Sequence, residues 1–301
     1  MTALAARNRG FALILVMWIM ALMAILLGGF ALIARTENLE ARHVFDMTTA
    51  RYDAIAGLER AVFELRNPDM NARWVADGRG YEFPYEGALV HVEITNESGK
   101  IDLNIADATV LIPLFESVGV DPGQAEALSD AIQDWRDADD MPRPHGAEAA
   151  QYAQAGLDYG PTNRPFQVVS EVQQVLGMTY EIYQRIEPAI TVYANTRIPN
   201  AAFAPIEALR AIPGMTETLA EQIIATRQAT PPGTTGAISG LTLPGGTAVV
   251  ATNGGLTYSI KSRATLPNGV SIVFDASVRV GGVGISGRPY TVLRWRDGES
   301  S

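Results

Sequence analysis

RGFALILVMWIMALMAILLGGFALI, residues 9–33, decides how the rest of the chain is read. From Phe11 onward the run carries no charge and no strongly polar side chain. At about 1.5 Å per residue it makes a helix of roughly 35 Å, enough to cross a hydrocarbon core of about 30 Å with some tilt. Arg7 and Arg9 precede it, and positive charge is retained on the cytoplasmic side of a membrane. A secretory signal peptide has a shorter apolar stretch followed by a small-x-small cleavage site, a pattern this segment lacks. The segment therefore predicts one membrane-spanning helix.

The helix is expected to continue past the membrane. Residues 35–66 contain no proline and a single glycine, Gly57. Ile55, Leu58, Val62 and Leu65 recur at three- and four-residue spacing and form one apolar stripe. Asn67-Pro68 then ends the helix. Further on, residues 89–95 (LVHVEIT) alternate apolar and polar side chains as a half-buried strand does. Residues 256–264, 270–280 and 290–295 read as an antiparallel meander joined by Pro-Asn-Gly and glycine-rich turns. The Pro/Gly/Thr-rich stretch 230–247 reads as a surface loop.

A helical block, roughly 100–228, interrupts these strands. Val175-Leu-Gly-Met-Thr and Ile212-Pro-Gly-Met-Thr are near-repeats, and Ser117-Val-Gly-Val-Asp has the same outline. Each predicts a helix, a tight glycine turn, and a Thr or Asp cap opening a second helix. Such helix-hairpin-helix-like units often grip nucleic-acid phosphates, but productive versions need Lys or Arg around the turn. Here Glu171, Glu181, Glu217 and Glu221 surround them, and the formal charge of the chain is −10. A packing or protein-contact role is expected, with no nucleic acid as partner.

Asp130, Asp134, Asp137, Asp139 and Asp140 fall within eleven residues. Asp137, Asp139 and Glu148 occupy positions 1, 3 and 12 of a twelve-residue window, a spacing that can supply oxygen ligands to one hard cation. Met141 and Pro142 stand where an EF-hand loop wants a ligand and a glycine, so the motif is not an EF-hand. A solvated acidic turn accounts for the same residues. The chain has no cysteine and three histidines (His43, His91, His145), which excludes disulfides and thiolate metal sites and leaves oxygen ligands. Clustered carboxylates could also hold the two metals of a hydrolase. No nucleophile, general base or histidine ligand accompanies them at a suitable spacing. Trp135, Trp74 and Phe166 read as packing residues, and Asn163-Arg164-Pro165 as a segment that could orient the acidic loop through the Arg164 guanidinium.

Arg9-Gly10-Phe11 resembles the type IV prepilin leader, which implies cleavage by a prepilin peptidase between Gly10 and Phe11 and methylation of the new N-terminus. Most pilins carry a glutamate at mature position five, and here that position is Leu15. Ser98-Gly-Lys-Ile-Asp-Leu-Asn-Ile-Ala, Asp134-Trp-Arg-Asp-Ala-Asp-Asp, Gly146-Ala-Glu148, Asn163-Arg-Pro165 and Ser170-Glu-Val follow in order. Together these features resemble the minor pseudopilin K family of type II secretion systems over essentially the whole chain.

The resemblance implies an α+β fold, with a pilin-like N-terminal helix, an antiparallel β-sheet and a large inserted α-helical domain. The expected divisions are a leader (1–10), a transmembrane helix (11–34), a pseudopilin helix with the first β segments (35–97), the inserted α-domain (98–228), a loop (229–248) and C-terminal β segments (249–301). It also implies a structural Ca2+ held by Asp137, Asp139 and Glu148, with Asp134 and Asp140 as weaker candidates. A subunit of this kind is no enzyme; it sits in the inner membrane by one span with its globular part in the periplasm. The resemblance further implies that it caps the pseudopilus and helps start its assembly with minor pseudopilins I and J.

Overall fold

The computed structural model describes residues 9–69, 71–231, 237–246, 248–250, 254–281 and 289–297. Helix α1 runs unbroken from Arg9 to Leu65, through the apolar run and on into the globular part. Among the described residues it is the one helix long and apolar enough to cross a membrane, and its membrane-length window is wholly unburied. Residues 1–8 of the expected leader lie outside the described residues, and the backbone at Gly10 and Phe11 is already helical.

The last third of α1 lies across a five-stranded antiparallel sheet of order β1-β2-β7-β8-β9. The strands are β1 (Asp77–Tyr85), β2 (Ala88–Asn96), β7 (Thr257–Thr265), β8 (Ser271–Val280) and β9 (Tyr290–Asp297). Along β2 the buried residues Val90, Val92 and Ile94 alternate with half-buried His91, Glu93 and Thr95. They pack with Leu58, Ala61, Val62 and Leu65 of α1 and with Ile260, Phe274, Ala276 and Val278. Gly57 is what lets the helix approach. A Cβ built there falls 2.1 Å from Ser262 Oγ and 2.8 Å from Val90 Cγ1. The opposite side of α1 exposes Phe45, Tyr52 and Phe63.

Strands β2 and β7 are paired neighbours although the helical block separates them in sequence, and Asn96 faces Tyr258 where the chain leaves the sheet and comes back. The block comprises β3 (Ile101–Asp102), α2 (Ala108–Ser117), α3 (Pro122–Arg136), α4 (Ala149–Gln154), α5 (Tyr180–Ile186), β4 (Ile190–Thr191), α6 (Ile206–Arg210) and α7 (Glu217–Ala229). It has a core of its own, built around Leu111, Phe115, Ile132, Trp135, Tyr152, Ile186 and Leu209.

The hairpin units form as their sequences predict. Gly177 and Gly214 adopt φ of 84° and 77°, a region open to glycine at little cost. Thr179 Oγ1 and Thr216 Oγ1 then accept from the backbone N–H groups of Ile182 and Leu219 and start α5 and α7. The leading element of the Gly177 unit is a 3-10 turn, Val169–Gln174, rather than an α-helix.

The stretch 230–247 departs from the loop expectation. Its described part enters a hairpin of β5 (Ala237–Thr242) and β6 (Ala248–Val250). Leu241 and Val249 are buried in the core of the helical block. Two apolar residues with a place to go outweigh the local proline and glycine content.

Polar clasps join block and sheet. Burial pushes the Glu97 carboxyl up, but Lys100 and the hydroxyls of Ser259 and Thr191 outweigh this and hold it below the usual glutamate range. Lys100 Nζ lies 2.9 Å from the carboxylate. On the other side, buried Arg227 of α7 donates to the Asp77 carbonyl of β1 (3.4 Å) and, within the block, to the carbonyls of Ala204 (2.8 Å) and Ala201 (3.2 Å). Beside it Arg79 of β1 donates to Thr230 O at 2.9 Å and pairs with Asp77 at 2.8 Å.

Candidate metal centre

The acidic loop is set by the end of α3. Asp121 accepts from the Gly123 N–H, Pro122 fits the first helical turn, and Leu128, Ala131, Ile132 and Trp135 bury one face. Trp135 is fully buried beside Phe166 and Tyr152, its ring centroid 6.1 Å from each. Asp134 precedes it on this buried side and is 0% exposed. A carboxylate so placed needs donors. The loop supplies them by doubling back: the Arg143 backbone N–H lies 3.1 Å from Asp134 Oδ2, and Arg143 Nε lies 3.3 Å from Oδ1. The turn is tight enough that a Cβ on Gly146 would fall 1.9 Å from Asp134 Oδ2.

Asp137 closes α3 and is half-buried. Its Oδ2 accepts from Arg143 Nη2 at 3.1 Å, and its Oδ1 is buried with no partner. Glu148, which opens α4, is 4% exposed, and neither carboxylate oxygen has a hydrogen-bond partner. Its own N–H donates to Gln151 Oε1 at 3.0 Å. Asn163, with φ of 49°, donates through Nδ2 to Asp139 O and Asp140 Oδ1, while its Oδ1 is also buried and unpartnered. Asp139 and Asp140 themselves lie on the exposed rim.

The electrostatics match the geometry. Burial, and then the carboxylates of Asp134, Asp137, Asp140 and Asp139, push Glu148 up to about 7. Burial also raises Asp134 and Asp137, and Asp139 adds to the rise at Asp137. The structure thus groups Asp134, Asp137 and Glu148 on the inner side of the loop. Among the described residues, however, no three Asp, Glu or His side chains close into a ready-made cage. Arg143 stands between Asp134 and Asp137 instead. The guanidinium expected from Arg164, an exposed residue, comes from Arg143.

Four oxygens, on Asp137, Glu148 and Asn163, are buried in this region with no hydrogen-bond partner, and oxygens of this kind are the ligand type that a hard divalent cation takes. Asn163 Oδ1 is the uncharged member of this set, so the spacing of carboxylates does not point to it. At the hairpin of Gly214, Arg210 is taken up by Glu217, with Nε to Oε2 at 2.7 Å, which leaves that cation paired rather than turned to a phosphate.

The family model described as type II secretion system protein K matches residues 94–195, the span from the end of β2 through the acidic loop to the end of β4 and just beyond. The chain is 28% identical over 210 residues to the type II secretion system protein K of Klebsiella pneumoniae, covering 63% of this chain and 64% of that one. It is 29% identical over 211 residues to a putative type II secretion system protein K of Escherichia coli K12, covering 64% of each. The matches thus span slightly under two thirds of these relatives' length. The protein K of Dickeya chrysanthemi is 34% identical over 103 residues. In fold the chain is similar to the crystal structure of the GspK-GspI-GspJ complex from the type 2 secretion system of enterotoxigenic E. coli. The TM-score is 0.61 at 18% identity, covering 86% of this chain and 99% of the other.

Proposed function

We propose that this chain, which carries the protein K domain of type II secretion systems, is a minor pseudopilin that caps the pseudopilus and helps start its assembly. The observation that carries the reading is the combination of that domain with a continuous helix–sheet spine. A helical block inserted between β2 and β7 of a pilin-like subunit is bulk that a further subunit would have to avoid. Leu15 adds to this, because it cannot offer a neighbouring terminal amine the carboxylate that a fibre interior needs. The role is structural, not catalytic.

In this reading the leader is cut after Gly10 by a prepilin peptidase, α1 anchors the subunit in the inner membrane, and the globular part faces the periplasm. The partners are minor pseudopilins I and J, met through α1 and the sheet. The unburied side of α1, with Phe45, Tyr52 and Phe63 exposed, is suited to a neighbouring helix. The acidic loop holds Ca2+, with Asp137, Glu148 and the Asn163 amide oxygen as the inner donors, Asp134 next to them, and Asp139 and Asp140 on the rim. The ion would neutralise the loop and fix α3 against α4.

The test is co-purification. The full chain in detergent is mixed with subunits I and J of its own secretion system, and a stable three-component complex is expected by size exclusion. Failure of all combinations to associate would undo the tip assignment. Replacing Phe45, Tyr52 and Phe63 by alanine is expected to weaken association while leaving the melting temperature of the isolated chain unchanged.

A further inference from the structure

We propose that Arg143 is a built-in counter-cation that holds the acidic loop closed without its metal ion and is displaced when the ion binds. The inference rests on the calcium reading above and concerns how that site is regulated.

Arg143 is unusually well placed for this. Pro142 and Pro144 flank it, so its backbone is confined to extended conformations and its neighbours' φ angles are fixed. From that position its N–H donates to Asp134 Oδ2 at 3.1 Å, and its side chain returns to reach both carboxylates at the end of α3. Nε lies 3.3 Å from Asp134 Oδ1, and Nη2 lies 3.1 Å from Asp137 Oδ2. The loop is pinned beyond it as well, where the His145 N–H donates to Asp130 Oδ2 at 3.1 Å. A guanidinium with a planar fork suits two carboxylates held side by side.

One positive charge is not enough for this loop. Arg143 leaves Asp137 Oδ1, both Glu148 oxygens and Asn163 Oδ1 bare and buried. A divalent cation could take those oxygens and the carboxylate that Arg143 now shares. The Arg143 side chain is 40% exposed, so it can withdraw into solvent without disturbing the core. The ion-free loop thus keeps its fold, and the ion pays for its entry by competing with a tethered charge. Affinity is traded for a loop that survives loss of the ion.

The experiment uses the full chain in detergent, stripped with EDTA, with CaCl2 titrated calorimetrically and melting followed with and without the ion. Arg143→Gln removes the charge and keeps donor groups. Its ion-free form is expected to melt below the ion-free wild type. It is expected to bind calcium roughly tenfold more tightly, the scale of removing one like charge within a few ångströms of a partly exposed cation. Arg143→Lys keeps the charge and loses the fork, so it should bind calcium about as the wild type does yet melt lower without it. Weaker calcium binding by Arg143→Gln, or an ion-free melting point equal to wild type in both variants, would overturn the proposal. No calcium uptake by the wild type would sink the metal reading itself. A lower melting point of the variants would in that case identify Arg143 as a plain structural ion pair.

Discussion

Gly57 of α1 and Ser262 of β7 meet so closely that a methyl group on the glycine would sit 2.1 Å from the serine hydroxyl. Alanine would normally favour the helix over glycine by about 1 kcal/mol. Here the added atom has no space, and forcing it in moves α1 off the sheet. Gly57→Ala is therefore expected to destabilise the globular part by about 1–3 kcal/mol despite its better helix propensity. Chemical denaturation reads this directly, and an unchanged or raised midpoint would refute the close-packing account.

Glu148 makes the ion-free protein sensitive to pH. Its ordinary value of 4.5 rises to about 7 in the fold, so the folded state prefers the neutral acid. The stabilisation this gives is fully present below about pH 4.5 and is lost as pH rises through about 7. Asp134 and Asp137 are raised too and add to the loss with the same sign. In EDTA the melting temperature is expected to fall across this window. Saturating calcium should flatten the fall by favouring the ionised carboxylates, and Glu148→Gln should flatten it without calcium. A profile that ignores both changes would count against the inner position of Glu148.

Arg227 ties the helical block to β1 from a buried site. Burial lowers its guanidinium to about 10, and its hydrogen bonds to Ala201 and Ala204 offset that cost. Arg227→Met leaves those carbonyls without donors and is expected to cost about 2–4 kcal/mol. Limited proteolysis should then cut first near residue 231, just after the end of α7.

The two threonine caps give a smaller, graded effect. Thr179→Ala and Thr216→Ala each remove an acceptor for a free helix N–H and should lower stability by about 1 kcal/mol. Serine at either position should restore most of the loss. Equal behaviour of serine and alanine would show that the hydroxyl is not the cap.

The sequence made α1 and most of the sheet legible because their signals are local. The alternation of Val90, Val92 and Ile94 and the stripe of Leu58, Val62 and Leu65 each need only a short window. Strand β1 was harder to see, since Gly78, Gly80 and Pro84 interrupt its pattern, and it forms because β2 offers a partner. The hairpin around Leu241 and Val249 has no local signal for the same reason: its core lies in residues far away in the chain. At the acidic loop, charge and spacing pointed to Asp137, Asp139 and Glu148. Only three-dimensional packing separates buried Glu148 from exposed Asp139, and only it reveals Arg143 between two carboxylates. The free amide oxygen of Asn163 has no sequence signature at all.

The pairing of Asn96 with Tyr258 has a mechanical consequence. The two ends of the helical block sit side by side on neighbouring strands, like the feet of a handle fixed to a beam. Tension along α1 passes into the helix–sheet core through contacts such as Leu58 with its strand neighbours, and it does not stretch the path between those feet. The block is carried by the spine without being in line with the load. A change within the block therefore need not alter how α1 carries a load.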